Sequence, residues 1–281
     1  MQNTVQALGC VPPVDGYLQA MKAVCDRYGV LLIFDEVMCG MGRTGTLHTW
    51  EAEGVVPDIE VIGKSLGAGY VPISAVLVTE RVVTALQGGS KYFKHGQTYQ
   101  SHPLACAAAL EVQRIVQNQN LVENVRHMGN YLEVLLRKRL ADHLHVGDIR
   151  GRGLFWAIEF VADKETKAPL DPELKVAERL HDKGMKPGYD IALFHATGSA
   201  NSGWAGDHIL LAPPYIVDRS DVEEIVDRVA RVVEDVFEEL PLGAGRATST
   251  LKRKEVECAH IEGKRLLNGI PRAFKSSREE A

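Results

Sequence analysis

The chain has 281 residues, 45% of them hydrophobic and 25% charged, with a formal net charge of -5. These are ordinary globular values, and they offer no general attraction for nucleic acid or an anionic membrane surface. No apolar run approaches the ~20 residues that span a bilayer, and no basic segment leads into an apolar stretch at the start.

In chain order, residues 16–28 carry Leu18, Met21, Val24 and Cys25 at helical spacing, and Gly29 suits the residue just past a helix end. A strand over 30–35 follows, then a glycine-rich loop over 40–45, an amphipathic turn around Trp50, and strands over 59–62 and 73–79. Strands alternating with helices indicate an α/β sheet covered on both faces. The Ala-rich stretch 103–118 reads as a helix, and so does 121–143, with Leu132, Leu135, Leu136 and Leu140 along one side. The pattern then changes. Strands are expected over 145–149 and 154–161, on either side of Arg150-Gly151-Arg152-Gly153. A helix over 173–183, a short strand over 209–212 and a final helix from about 221 to 239 complete it. Ser220-x-x-Glu223 offers a capping box for that last helix. We therefore expect a partial large domain over residues 1–120, a smaller α+β domain over 121–240, and a basic, disordered tail over 241–281, which is too polar to offset its ordering entropy.

Five scattered cysteines (Cys10, Cys25, Cys39, Cys106, Cys258) form no C-x-x-C, which argues against a disulfide framework or a zinc thiolate site. A reducing, cytosolic compartment is expected. Gly40-Met-Gly42-Arg-Thr-Gly45 matches G-x-G-x-x-G, but Asp35 and Glu36 put negative charge where a pyrophosphate would sit. A mobile or close-packed loop explains it better. Gly63-Lys64-Ser65 ends like a P-loop, yet Asp58 stands where that motif needs its first glycine. His143-x-His145 lacks an evident third metal ligand, and His95, His102, His195 and His208 read as structural or solvated. Two charged residues carry more. Asp35 closes one apolar strand and Lys64 another, and ligands of open parallel sheets bind beyond the carboxyl ends of the strands.

Five motifs in order then give a family likeness. They are Leu32-Ile-Phe-Asp35-Glu-Val37-Met-Cys-Gly-Met-Gly-Arg43-Thr-Gly45 and Pro57-Asp58…Gly63-Lys64-Ser-Leu-Gly-Ala-Gly69. His95-Gly-Gln-Thr98-Tyr-Gln-Ser-His-Pro103, Gly147-Asp-Ile-Arg150-Gly-Arg-Gly153-Leu-Phe-Trp-Ala-Ile-Glu159 and Leu210-Leu-Ala-Pro213-Pro214 follow. Across residues 5–240 the chain resembles the class III aminotransferases, pyridoxal-phosphate enzymes of fold type I. The resemblance implies the C-terminal part of a mostly parallel large-domain sheet followed by a smaller α+β domain. It implies that Lys64 forms the internal aldimine with pyridoxal 5'-phosphate, that Asp35 pairs with the pyridine nitrogen and that Val37 packs on the ring. Thr98 would reach the phosphate of the neighbouring subunit in a homodimer with shared sites. The partners implied are a small-molecule amino donor and a keto-acid acceptor, with no nucleic acid and no membrane.

Some positions depart from the pattern. Met38 stands where many relatives carry Gln, no Arg lies near His208, and Asn3 stands near a frequent Glu. The family's phosphate-cradling turn, its stacking aromatic and several central strands are expected upstream of Met1. Two alternatives accompany the transaminase reading. One is a truncated, catalytically incomplete remnant, and the other is an aminomutase or decarboxylase on the same scaffold.

Overall fold

In the computed structural model, which describes residues 2–3, 9–200 and 205–241, the first sheet has four strands in the order β1-β2-β3-β4. These are β1 (Gln2–Asn3), β2 (Ile33–Asp35), β3 (Ile59–Ile62) and β4 (Ala75–Val78). The first three are parallel, and β4 runs antiparallel to β3. The segment between β3 and β4 holds only a 3-10 turn, Lys64–Leu66, and no crossover helix, so β4 returns antiparallel. The α/β expectation of a mostly parallel sheet holds, with one antiparallel strand at the edge.

Helix α1 (Tyr17–Tyr28) stops at Gly29, whose φ of 67° places it in the left-handed region that glycine enters at no steric cost. The Val30 N–H then donates to the Cys25 carbonyl at 2.9 Å, closing the last turn. Leu18 and Cys25 pack with Leu32, Phe34 and Val55, fixing α1 on the sheet. Helix α2 (Glu80–Gly88) was not anticipated; it is short and buries no residue, and its apolar side is only half-covered at Val82, Val83 and Leu86. The helices α3 (Pro103–Asn118) and α4 (Leu121–Leu140) lie where expected, although α4 ends earlier than 143.

The second sheet is antiparallel throughout, in the order β5-β6-β8-β7. Its strands are β5 (Val146–Arg152), β6 (Phe155–Phe160), β7 (Phe194–Ala200) and β8 (Ala205–Leu211). Arg150 and Arg152 belong to β5 itself, so the turn falls at Gly153 and Leu154 and not over 150–153. The expected strand at 209–212 is the end of a longer β8, and β7 was not anticipated. Helices α4, α5 (Val176–Gly184) and α6 (Arg219–Glu239) pack beside this sheet. The opposite face, through Phe155, Ala157 and Leu210, packs on Cys10, Cys39 and Met38 from the segments around β2.

The cap of α6 is a correction. Asp218, not Ser220, accepts the N–H of Asp221 at 3.0 Å, and Asp221 returns the bond to the Asp218 N–H at 2.9 Å. The helix therefore starts at Arg219, and Glu223 instead accepts the Tyr131 hydroxyl at 2.5 Å. Residues Met1–Leu240 form one compact unit. The tail expected over 241–281 lies, Pro241 apart, outside the described residues. Among the described residues no helix is long and apolar enough to cross a membrane.

Candidate active site

The pairing register sets Asp35 opposite Val61, two residues before Gly63. Asp35 and Lys64 therefore leave neighbouring parallel strands at the same end. The half-buried Asp35 accepts the Val37 N–H at 3.1 Å through Oδ1. This local bond turns the chain and sets Val37 beside the strand ends. Val37 lies against Gly63, where a Cβ would be in ordinary van der Waals contact with Val37 Cγ1 at 3.5 Å. Lys64 follows with a φ of 43°, a left-handed conformation uncommon for a non-glycine residue. Its side chain is exposed, and no hydrogen bond or ion pair engages it among the described residues. The 3-10 turn it opens is held from α3 by Gln113 Nε2, which donates to Leu66 O at 2.9 Å and Ser65 O at 3.3 Å. Thr98 lies in the exposed stretch before α3, with no hydrogen bond to Asp35, Val37 or Lys64 among the described residues.

The glycine loop is close-packed, and no helix starts at Gly45, as a dinucleotide fingerprint requires. Arg43 pins it by donating to Pro213 O at 2.6 Å and Leu154 O at 3.1 Å while lying 4.5 Å from the centre of the Tyr215 ring. The Tyr215 hydroxyl donates to Met41 O at 3.0 Å. Burial lowers the Arg43 pKa, and the tyrosine opposes that shift.

A cluster that escaped the sequence reading lies behind this group. Glu36 and Glu60 are both buried. Glu36 accepts the backbone N–H groups of Thr49 at 2.7 Å and Trp50 at 2.8 Å. Glu60 meets His48 Nδ1 at 2.7 Å and accepts Trp50 Nε1–H at 3.0 Å. Burial alone would raise the Glu60 pKa, but the His48 and Trp50 hydrogen bonds outweigh it and hold the carboxyl below its usual range. The Glu60 hydrogen bond in turn raises His48. Ligand atoms of Glu36, His48 and Glu60 lie within 4.8 Å of one another. All four carboxylate oxygens already engage nitrogen groups, so we read the set as a hydrogen-bond network and not a cation cage. One sequence signal was available, a glutamate in the middle of the apolar run Ile59–Ile62.

The histidines weighed earlier are dispersed. His102 caps α3, accepting the Ala105 N–H at 3.4 Å. His145 stacks on Phe237 with centroids 4.9 Å apart, and burial pushes His143 down to about 4. His208, in β8, is buried, and among the described residues neither ring nitrogen has a hydrogen-bond partner.

Comparison with known proteins places the chain in a family. The class-III aminotransferase family model matches residues 3–233. An aminotransferase of Gibberella zeae is 52% identical over 226 residues, covering 80% of this chain and 44% of that protein. The diaminobutyrate–2-oxoglutarate transaminase of Halomonas elongata is 37% identical, with coverage of 83% and 48%. Among solved structures, an amine transaminase from an uncultivated Pseudomonas species in its PLP-bound form superposes with a TM-score of 0.75 at 34% identity. That match covers 83% of this chain and 51% of the other. An (S)-enantioselective omega-transaminase from Thermomicrobium roseum gives a TM-score of 0.74 at 36% identity, covering 83% and 50%. The chain spans about half the length of the curated relatives it matches. It belongs to the class III aminotransferase family.

Proposed function

We propose that this chain carries the lysine-bearing half of a pyridoxal-phosphate site that transfers an amino group from a small amine or amino acid to a keto acid. The observation that carries the reading is the placement of an unengaged lysine amine and a carboxylate at the same end of adjacent parallel strands, with Val37 against Gly63 between them. The donor set fits the cofactor, with an anion for a protonated ring nitrogen, an apolar side chain for a ring face and an amine for an aldehyde. When bound, pyridoxal phosphate supplies an electron sink for charge that develops on the donor's carbon.

The chain's own groups have separable tasks. Asp35 accepts a hydrogen bond from the ring N–H and keeps that nitrogen protonated, since an adjacent opposite charge stabilises the charged form. Val37 holds the ring plane. Lys64 Nζ would be the group that holds the cofactor aldehyde and, once displaced by a donor amine, would serve as the base that takes the proton from the donor's α-carbon. Thr98, exposed in the stretch before α3, is assigned to the phosphate bound by a second copy on the strength of the family resemblance. The working form is then a cytoplasmic homodimer with shared sites.

The test is chemical trapping. Incubation with pyridoxal phosphate, borohydride reduction and peptide mass mapping should place the label on Lys64, and Lys64→Ala should take up none there. Label on another lysine, or no label on the unsubstituted chain, would refute the assignment.

A further inference from the structure

We propose that Glu36, His48, Trp50 and Glu60 form a positioning network that fixes the backbone of residues 35–40, and through it the pose of Asp35 and Val37. Its functional meaning rests on the transaminase reading above.

Glu36 directly follows Asp35, and its side chain is spent on the start of a 3-10 helix, Thr49–Glu53, whose first N–H groups have no partner within the helix. Its backbone is tied twice. The Glu36 N–H donates to Val61 O at 2.9 Å, and the Glu36 carbonyl accepts the Gly40 N–H at 2.8 Å. Glu60 lies across from Phe34 while Asp35 lies across from Val61. Strand side chains alternate faces, so Glu60 occupies the face opposite Asp35. It holds that face by binding His48 and Trp50, whose rings stack with centroids 5.5 Å apart. Residues 35–40 are thus tied to β3 through the Glu36 backbone and to the 3-10 helix through the Glu36 carboxylate, while the Glu60 carboxylate holds the His48 and Trp50 side chains of the same segment.

The arrangement does more than fill space. A leucine at position 60 would occupy similar volume but offer no acceptor to Trp50 Nε1 or His48 Nδ1. Two buried carboxylates this close also repel unless a proton or cation lies among them, and His48 supplies one. Of the charged groups near His48, Glu60, Glu36 and Glu51 are all acidic, so each favours the protonated ring.

The test compares Glu60→Leu with the conservative Glu60→Gln, which keeps an acceptor. Val229→Ala in α6 serves as a stability control remote from the network. Without cofactor, hydrogen exchange at the Val37 and Gly40 amides should accelerate about tenfold in Glu60→Leu beyond any change in β6, and return near wild type in Glu60→Gln. Exchange at these amides that rises no more than in the control would overturn the proposal. So would equal behaviour of the Leu and Gln variants. His48→Phe keeps the stacking on Trp50 and removes the Nδ1 donor, and it is read in the same way should Glu60→Leu not fold. With cofactor, trapping titrations should show about tenfold weaker uptake in Glu60→Leu and recovery in Glu60→Gln. Unchanged uptake in Glu60→Leu also counts against the network. An unsubstituted chain that traps no cofactor refutes the transaminase reading alone, because the exchange experiment still decides the network.

Discussion

Gly129→Ala sets two effects of opposite sign against each other. Gly129 lies inside α4, where alanine would favour the helix by ~1 kcal/mol over glycine. A Cβ there, however, would lie 2.2 Å from the Gly153 carbonyl oxygen and 2.6 Å from its Cα, well under the 3.0 Å that real Cβ contacts keep. The obstacle is backbone, and it has little room to retreat. A Cβ on Gly153 would itself meet the Thr44 carbonyl carbon at 2.5 Å and the Arg43 oxygen at 2.8 Å, so the turn already lies against the glycine loop. Overpacking of this kind costs ~1–3 kcal/mol, and more against rigid backbone. The clash should win by ~1–2 kcal/mol, which lowers Tm by about 2–8 °C in a unit of this size. Thermal melts of Gly129→Ala beside Gly88→Ala give the assay. Gly88 ends α2 with open space around its Cβ position, so alanine there should be neutral or slightly stabilising. A Gly129→Ala variant that melts at or above the wild-type temperature would show that the α4–turn–loop contact is not tight.

Three further outcomes follow from the same structure. Burial holds His143 near 4 against an ordinary 6.5, so the native state binds fewer protons than the unfolded chain between those values. Its contribution is present above that window and is lost as pH falls through it, by up to ~3 kcal/mol. Urea titrations at several pH values should therefore show a flatter acid limb in His143→Asn. Asp207 shows the opposite sign. Burial raises its pKa although it accepts the Ala177 N–H at 2.9 Å, so stability falls as pH rises from 3.8 through the raised value. Asp207→Asn should remove that loss, and a variant less stable than wild type at neutral pH would contradict it. Arg43→Lys should cost ~1–3 kcal/mol in urea unfolding, because an ammonium cannot hold the Leu154 and Pro213 carbonyls in one plane while stacking on Tyr215.

Much of this architecture was legible in the sequence wherever a local rule governed it. Gly29 ended α1 because a left-handed residue closes a helix, and the apolar spacing in α4 marked its buried side. Local patterns failed where burial was slight or where chemistry competed. Helix α2 buries nothing fully, and its apolar trace, Val82, Val83 and Leu86, spans barely two turns. The capping box of α6 was misplaced by two residues because Asp218-x-x-Asp221 and Ser220-x-x-Glu223 offer similar chemistry, and only the packing of Glu223 against Tyr131 separates them.

By itself the sequence determined the family, the α/β class, and the position of Asp35 and Lys64 at strand ends. All of these are written in short contiguous motifs. Only the tertiary structure decided that β4 turns back antiparallel, that Glu36 and Glu60 meet around His48 and Trp50, and that Arg43 reaches Pro213, 170 residues away. Local periodicity reports which face of an element is buried. Which distant polar groups then meet across that burial is set by topology and register, and a one-residue change of register in β3 would move Glu60 to the other face.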